Sequence, residues 1–312
     1  MKAKLIILAT ITAAMISLFL FIDIGGYWDY VLPRRINKII AIILTGSSIG
    51  VSTIIFQTIT NNKILTPNII GLDSLYMLIQ TIVVFIFGAS TLTMMNSNIH
   101  FLISVGLMLV FSALLYTFLF KREGQNIYYL LLVGLIMGTL FSSVSSFMQI
   151  LIDPNEFLVV RDSMFASFNN VNTQLLFISS VSVVLIGLYF LRFIKYLDVL
   201  SLGKEQAINL GVSYDAIVKR LLMIIAVLVS ISTALVGPIT FLGLLVANIT
   251  YHFMGTYQHK FLFAGSIFIS IISLVGAQML VERVFSFSTS VSVIINLVGG
   301  LYFLYLLLKE SK

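Results

Sequence analysis

Long apolar stretches separated by short polar segments run along the whole chain. A membrane-spanning helix needs about 20 apolar residues. Ten stretches approach or exceed that length, and they lie near residues 5–22, 36–58, 70–90, 99–120, 127–151, 174–192, 218–236, 239–254, 261–281 and 290–308. The pattern predicts an all-α polytopic membrane protein with about ten transmembrane helices and short loops, forming one transmembrane domain over residues 1–312.

The stretch 221–253 decides the number of helices. It carries no charged residue across 33 positions, which as one helix would be about 50 Å long, whereas the hydrocarbon layer is about 30 Å thick. Gly237-Pro238 lies in its middle, and proline removes a helix hydrogen bond. We expect a helix break at this pair, with a single kinked and tilted helix as the alternative.

The first apolar stretch follows Lys2 and Lys4, an arrangement that secretory signals share. No small-residue cleavage site follows it, since residues 21–25 read Phe-Ile-Asp-Ile-Gly. We therefore expect a retained first helix, with a cleaved signal as the alternative.

Composition supports a membrane protein and excludes several other classes. Of 312 residues, 59% are hydrophobic and 10% are charged, against about 25% charged in an ordinary globular domain. This excludes a soluble enzyme. The chain has no cysteine, which excludes disulfides, thiolate catalysis and cysteine-ligated metal. The net charge of +6 comes from scattered residues rather than from a basic arm, so it predicts no nucleic-acid partner.

The distribution of basic residues predicts the orientation, because cytoplasmic loops are enriched in lysine and arginine. Ten crossings place both termini on one side. With the N-terminus in the cytoplasm, five basic residues are outside, namely Arg34, Arg35, Lys38, Arg161 and Arg283, and the other thirteen of the 18 are inside. The sequence shows no charge pair within the spans, which argues against an ion-driven carrier, since such carriers bury ionisable groups.

The longest polar segment, residues 193–219, is predicted to be cytoplasmic and helical. Asp198 or Ser201 is a candidate cap for a short helix, and Gly211 suits its C-terminus. Its apolar side is formed by Leu202, Ala207, Ile208 and Leu210. The pattern alone leaves open whether this segment covers the membrane domain or docks a partner.

Several motifs resemble one family. Residues 201–212, Ser-Leu-Gly-Lys-Glu-Gln-Ala-Ile-Asn-Leu-Gly-Val, resemble the cytoplasmic coupling segment of permeases in the iron–siderophore and vitamin B12 family of type II ABC importers. Residues 236–245 resemble that family's signature after its seventh helix, although Ala247-Asn248 replaces a Pro-His pair. Leu32-Pro33-Arg34 resembles its entry to helix two, and Gln258-His259-Lys260 resembles a later turn. The resemblance covers residues 30 to 308.

The resemblance implies a fold of ten helices per subunit and an importer built from two permeases, two ATPase subunits that carry ATP and Mg, and an extracytoplasmic binding protein. This chain would bind no cofactor and would not be an enzyme. It also has no Gly-rich phosphate loop followed by Lys-Ser or Lys-Thr. Residues 288–296 depart from the usual pattern and resemble the branch for catechol-type siderophores, in which two different permeases often pair, so a heterodimer is favoured over a homodimer.

The resemblance also suggests roles for individual residues. ATPase coupling is assigned to Ser201, Leu202, Gly203, Lys204, Glu205, Ala207, Leu210 and Gly211, with a solvated loop as the alternative. Docking of the binding protein is assigned to Arg34, Arg35 and Arg283, whose guanidinium groups suit carboxylates, with membrane anchoring as the alternative. The translocation path is assigned to polar residues of helices two, five and ten, with helix packing as the alternative: Gln57, Ser142, Ser143, Ser146, Gln149 and Asn296.

No metal site is expected. His252 and His259 are seven residues apart, with no carboxylate nearby in the sequence, and His100 stands alone. The sequence therefore predicts a permease of the bacterial cell membrane that imports a ferric siderophore with energy from a separate ATPase. The alternatives are a stand-alone secondary transporter or channel for a small organic solute, and a membrane enzyme, for which no cluster of reactive side chains is visible.

Overall fold

The computed structural model describes residues 1–23, 26–88, 97–119, 127–169 and 171–310, and within these ranges the chain is helical without a β-strand. Two 3₁₀ turns, Pro67–Ile70 and Leu191–Phe193, join some of the helices. The α-helices are α1 (Lys2–Phe21), α2 (Trp28–Thr60), α3 (Leu72–Phe87), α4 (Ser97–Leu119), α5 (Ile127–Leu151), α6 (Pro154–Ser163), α7 (Thr173–Phe190), α8 (Ile194–Leu200), α9 (Lys204–Asn209), α10 (Tyr214–Val236), α11 (Leu242–Met254), α12 (His259–Arg283) and α13 (Val291–Glu310).

The all-α polytopic fold is confirmed. Within the described ranges, seven helices are long and apolar enough to cross a membrane, and three shorter apolar helices accompany them. Together they occupy the ten predicted stretches. The number of crossings and the side on which the termini lie remain predictions; Lys121, Arg122 and Lys312, which contribute to the charge count, fall outside the described residues.

Helices α2, α10 and α12 form the centre of the bundle, and α2 packs along both of the others. Small residues allow the close approach of α2 and α12: a Cβ atom added to Gly46 would lie 2.9 Å from the Ser270 hydroxyl oxygen. Such contacts are common where helices pack in lipid. By contrast, α1, α5 and α7 expose most of their apolar side chains, as expected for surfaces that face lipid or another subunit.

The break at Gly237-Pro238 is observed, and the alternative of a single kinked helix is wrong. Gly237 follows the last residue of α10 with φ +98°, a conformation that favours glycine. A Cβ atom there would lie 3.1 Å from the Ala166 Cα atom. The chain then turns into α11, which has only 13 residues and is about 20 Å long.

One helix was not predicted. The short helix α6 begins at Pro154, and the Asp153 side chain accepts a hydrogen bond from the Asn155 backbone N–H at 2.8 Å. Aspartate at the N-cap followed by proline at the first helical position is a recognised start signal. The predicted spans 127–151 and 174–192 left this region as a loop.

Candidate functional site

The predicted coupling segment is a compact pair of short helices. Helix α8 leads into a turn at Ser201 and Leu202, and α9 then starts after Gly203, whose φ is +100°. At the other end of α9, the Gly211 N–H donates to the Ile208 carbonyl at 2.9 Å, and the Val212 N–H donates to the Ala207 carbonyl at 3.0 Å. These two bonds form a Schellman motif, so the predicted cap at Gly211 is confirmed.

The predicted cap at the start of this segment is wrong. Gly203 precedes α9 without a side-chain cap, and the Ser201 hydroxyl donates back to the Asp198 carbonyl at 2.8 Å. The Asp198 side chain instead leaves the segment and reaches the first residue of α12.

The segment exposes three large apolar side chains together with one acid and two amides, Gln206 and Asn209. Leu202, Ile208 and Leu210 are each at least half exposed, and Glu205 lies among them on the exposed side of α9. Ala207 is fully buried, so it attaches α9 to the bundle and does not face a partner. Lys204 is half-buried, and its ammonium lies 3.9 Å from the exposed Asp215 carboxylate.

The coupling segment is fixed to two central helices through His259, the first residue of α12. Asp198 Oδ1 accepts from the His259 backbone N–H at 2.9 Å and lies 2.7 Å from its Nδ1. On the other side of the ring, Nε2 lies 2.8 Å from Thr58 Oγ1, near the end of α2. The histidine is 2% exposed. Hydrogen bonds to a carboxylate are roughly twice as strong as those between neutral groups. The Asp198–His259–Thr58 contact therefore holds α8, α12 and α2 firmly together.

Sequence reasoning missed this contact. His259 has no carboxylate close to it in the sequence, and Asp198 lies 61 positions away. Only the fold brings the two together, and no local signal predicts their contact. No group of three His, Asp or Glu residues that could hold a metal ion is present in the part of the chain that the structure describes.

Gln57 lies near this point, on the wall of a smaller cavity of about 340 Å³. It is 2% exposed, and its Nε2 donates to the Lys63 carbonyl at 2.6 Å. Asn248 donates to the same carbonyl at 3.3 Å. In this structure, therefore, Gln57 holds the loop after α2 against α11.

The three arginines assigned to docking differ in their surroundings. All three lie at one end of the bundle, which we call the outer end. It is opposite the coupling segment, because α12 runs about 37 Å from His259, which contacts that segment, to Arg283. Arg34 is exposed, and its guanidinium carbon lies 4.1 Å from the centre of the Tyr30 ring. Arg35 instead donates from Nη1 to three carbonyls at the end of α1, those of Phe19, Leu20 and Ile22, at 3.1, 2.9 and 2.6 Å.

Arg283 also binds the end of α1. Its Nη1 donates to Asp23 Oδ2 at 2.6 Å, and its Nη2 donates to the Ile22 carbonyl at 3.1 Å. Arg35 and Arg283 thus use their guanidinium groups within the chain, and of the three only Arg34 presents its guanidinium outward.

A further ion pair was not expected from the sequence. Lys38 of α2 donates to Glu282 Oε1 of α12 at 2.7 Å, and both side chains are largely buried. Gln278 Nε2 donates to the same oxygen at 2.6 Å. This pair joins α2 and α12 near the outer end, with Glu282 just beyond the predicted span 261–281, so the prediction that no charge pair lies within the spans is not contradicted by it.

The polar residues of α5 divide into two groups. Ser143 and Ser146 are exposed on a helix whose other exposed residues are mostly apolar. Ser142 is exposed too, and its hydroxyl donates to Ser74 of α3 at 3.0 Å. Gln149 is half-buried and donates to Thr81 and Ser145 at 3.1 and 2.8 Å, so it packs α5 against α3.

Asn296 of α13 has a structural contact. Its Oδ1 accepts from the Phe241 N–H at 3.3 Å, just before α11. The residue is half-buried and satisfies a backbone donor at the start of the short helix, where no side-chain cap is present.

Comparisons with known proteins agree with this architecture. The chain is 62% identical over 311 residues to the petrobactin import system permease protein YclO of Bacillus subtilis (strain 168), covering 100% of this chain and 98% of that protein. It is 23% identical over 329 residues to YclN of the same organism, also a petrobactin import system permease protein, covering 100% and 99%. A solved structure described as an inward-facing conformation of a metal-chelate type ABC transporter matches with a TM-score of 0.86 at 22% identity, covering 99% of each chain.

The similarity extends to a whole family and not only to single proteins. The model of the FecCD transport family matches residues 4–309, nearly the full length. This agrees with a multi-pass membrane protein whose helices carry an exposed segment at one end and exposed arginine at the other. The chain belongs to the FecCD transport family.

Proposed function

We propose that this chain is the membrane-spanning permease of an ATP-driven importer that moves a ferric siderophore into the cytoplasm. The structural observation that carries the proposal is the exposure of Leu202, Ile208 and Leu210 on a segment that is fixed to α12 and α2 through His259. A membrane protein gains nothing from an exposed apolar face on a polar loop unless a partner covers it. The identity with YclO over the full chain supports the same assignment.

The partner at this face is a cytoplasmic ATPase, which binds ATP and Mg in place of this chain. Leu202, Ile208 and Leu210 pack into its groove, and Glu205 supplies a charged contact at the centre. Movement of the ATPase on binding ATP displaces α8 and α9 together, because Ala207 is buried and Gly211 closes the turn.

The Asp198–His259–Thr58 contact transmits this displacement. Since Asp198 binds both the backbone and the ring of His259, a shift of α8 pulls the start of α12 directly. The bond from the ring to Thr58 carries the shift to α2. A force on the coupling segment thereby reaches two central helices of the bundle.

At the outer end, a binding protein docks on Arg34. Its guanidinium is exposed and suits a carboxylate on the partner. Arg35 and Arg283 contribute indirectly by fixing the end of α1 beside it.

The path for the siderophore runs along α5. Ser142, Ser143 and Ser146 form a polar stripe on an otherwise apolar exposed surface, which suits contact with a polar cargo or a second subunit better than contact with lipid. Gln57, Gln149 and Asn296 support the path by positioning its helices and not by touching cargo.

The second subunit is a different permease rather than another copy of this chain. Two distinct permeases of Bacillus subtilis, YclO and YclN, are both named for petrobactin import, and both align along this whole chain. The cargo in this assignment is a catechol-type siderophore such as petrobactin.

Reconstitution tests the proposal. The chain is purified with its partner permease and ATPase in proteoliposomes, and uptake of radiolabelled ferric petrobactin is measured with the binding protein present. We expect uptake that requires ATP. Equal uptake without the ATPase would instead support the secondary-transporter alternative, and no uptake of any ferric siderophore by an ATP-hydrolysing complex would refute the import function.

A further inference from the structure

A large cavity opens at the outer end of the bundle, between α3, α4, α6 and the start of α13. Its volume is about 970 Å³, at the upper end of the roughly 300–1,000 Å³ that small-molecule sites occupy. It reaches Val281 in the last turn of α12, and this places it at the end opposite the coupling segment.

The walls of this outer cavity are polar for a membrane protein. Hydroxyl groups come from α6, from the segment after it and from the loop before α13, including Ser163, Ser167 and Thr289. Arg161 and Asp162, both exposed, lie side by side at the end of α6 and give the rim one charge of each sign.

Two wall residues hold buried nitrogen atoms without a partner. Gln80 is 1% exposed, and its Nε2 has no hydrogen-bond partner among the described residues; the same holds for Nε2 of His100. A buried polar group left unpaired costs about 1–3 kcal/mol. The amide nitrogen of Gln149, which lies outside the cavity wall, is satisfied by Thr81 and Ser145. Of these two glutamines, the one at the cavity wall has an unsatisfied amide donor, and the one that packs α5 against α3 has a satisfied amide donor.

We infer that this outer cavity is a binding site for the anionic, oxygen-rich face of an iron chelate, which it receives before translocation. Catecholate and carboxylate oxygens accept hydrogen bonds from the Gln80 amide, from His100 in the tautomer that carries its proton on Nε2, and from the wall hydroxyls. Arg161 supplies the cation. This inference rests on the proposed import function and adds to it a site within a single permease subunit.

The two rim charges allow a test of the sign of the ligand. If the ligand is an anion, Arg161→Ala weakens binding about tenfold, since a hydrogen bond to a charged group is lost. Asp162→Asn leaves binding unchanged or tightens it, because a repulsive charge is removed. Both residues are exposed, so neither variant threatens the fold. The opposite order of effects would mean a cationic ligand and would overturn the inference.

Binding is measured on the complete permease–ATPase complex in lipid nanodiscs without the binding protein. Equilibrium dialysis with radiolabelled iron compares the trianionic ferric tris-catecholate complex with the neutral ferric tris-acetohydroxamate complex. We expect the anionic probe to bind in preference to the neutral one and to respond to the two rim variants as stated. Equal binding of both probes, or no effect of Arg161→Ala, would refute an anion site.

Gln80→Leu supplies a second readout that a purely structural glutamine would not give. Replacing an unpaired buried amide with an apolar side chain of similar size removes an unsatisfied donor, so thermal stability is retained or rises while affinity for the anionic probe falls several-fold. A loss of stability together with unchanged affinity would contradict the role of Gln80 in the site.

The experiments distinguish a failure of the cavity inference from a failure of the proposed import function. If the wild-type complex takes up ferric petrobactin with ATP and the Arg161→Ala and Gln80→Leu complexes take it up equally well at limiting concentration, only the cavity inference fails. If the wild-type complex takes up no ferric siderophore, the proposed function fails first.

Discussion

His259 and Asp198 form a contact in which one carboxylate oxygen holds both the backbone N–H and the ring Nδ1 of the histidine, at 2.9 and 2.7 Å. The contact joins the helix pair of the coupling segment to the first turn of a central helix. Because the ring is almost completely buried, loss of either partner leaves polar groups unsatisfied.

Asp198→Ala is expected to weaken this joint. It removes two hydrogen bonds to a buried histidine, so we expect the free energy of unfolding to fall by about 2 kcal/mol, measured by thermal unfolding in detergent, and fewer siderophores imported per ATP hydrolysed. Asp215→Ala is the matched control, since its pair with Lys204 is long and exposed and contributes about 0–1 kcal/mol. An unchanged ratio of uptake to ATP hydrolysis in Asp198→Ala would count against transmission through His259.

A charge on the exposed face of the coupling segment is expected to displace the ATPase. Leu210→Asp places a carboxylate in the apolar contact, where burying an unpaired charge is costly, so the ATPase should co-purify at a small fraction of the wild-type amount. Leu158→Asp on α6 is the control, because Leu158 is exposed to a similar degree but lies on a short polar helix at the outer end, away from residues 202–210. Equal recovery of the ATPase with both variants would show that this face is not the docking surface.

The outer arginines are expected to give different phenotypes. Arg34→Ala should weaken binding of the extracytoplasmic protein about tenfold, as a charge-assisted contact is lost, with little change in stability. Arg35→Ala should instead lower thermal stability, since three carbonyls at the end of α1 lose their donor. Surface plasmon resonance and thermal unfolding separate the two effects. If Arg35→Ala weakened docking without loss of stability, the assignment of its guanidinium to α1 would be wrong.

Gly237→Ala is expected to disturb the junction between α10 and α11. The backbone there has a positive φ, and the added carbon would contact Ala166 at 3.1 Å, so a loss of about 1–3 kcal/mol is expected. Gly187→Ala on α7 is the control, because open space surrounds it and alanine favours helix by about 1 kcal/mol. Thermal unfolding of the two variants should therefore shift in opposite directions.

The sequence predicted the features that depend on local chemistry. Apolar runs fix the helices because lipid requires internally satisfied backbone groups, and Gly237 and Gly211 fix a break and a cap because other residues strain those conformations. Contacts between distant positions were not predictable. In the sequence, Arg35 and Arg283 cannot be told apart from Arg34. Only the packing of α1 beside them shows that their guanidinium groups donate to the end of that helix.

The same limit applies to the candidate site. Gln57 and Gln149 are polar residues within apolar helices, and this pattern does not distinguish a wall residue from a packing residue. The structure shows how each amide nitrogen is held: the Lys63 carbonyl accepts from Gln57, and Thr81 and Ser145 accept from Gln149. Gln80 has the same chemistry and the opposite surroundings, which only the fold shows.

The junction after α10 has a mechanical consequence for the whole molecule. The Val236 carbonyl accepts from the Ser167 N–H at 2.8 Å, and the Ala166 N–H donates to Ser292 of α13 at 3.1 Å. A tilt of α10 is therefore expected to move the segment 165–169, which borders the outer cavity. Movement at the coupling segment and a change of shape at the outer cavity are thus expected to occur together.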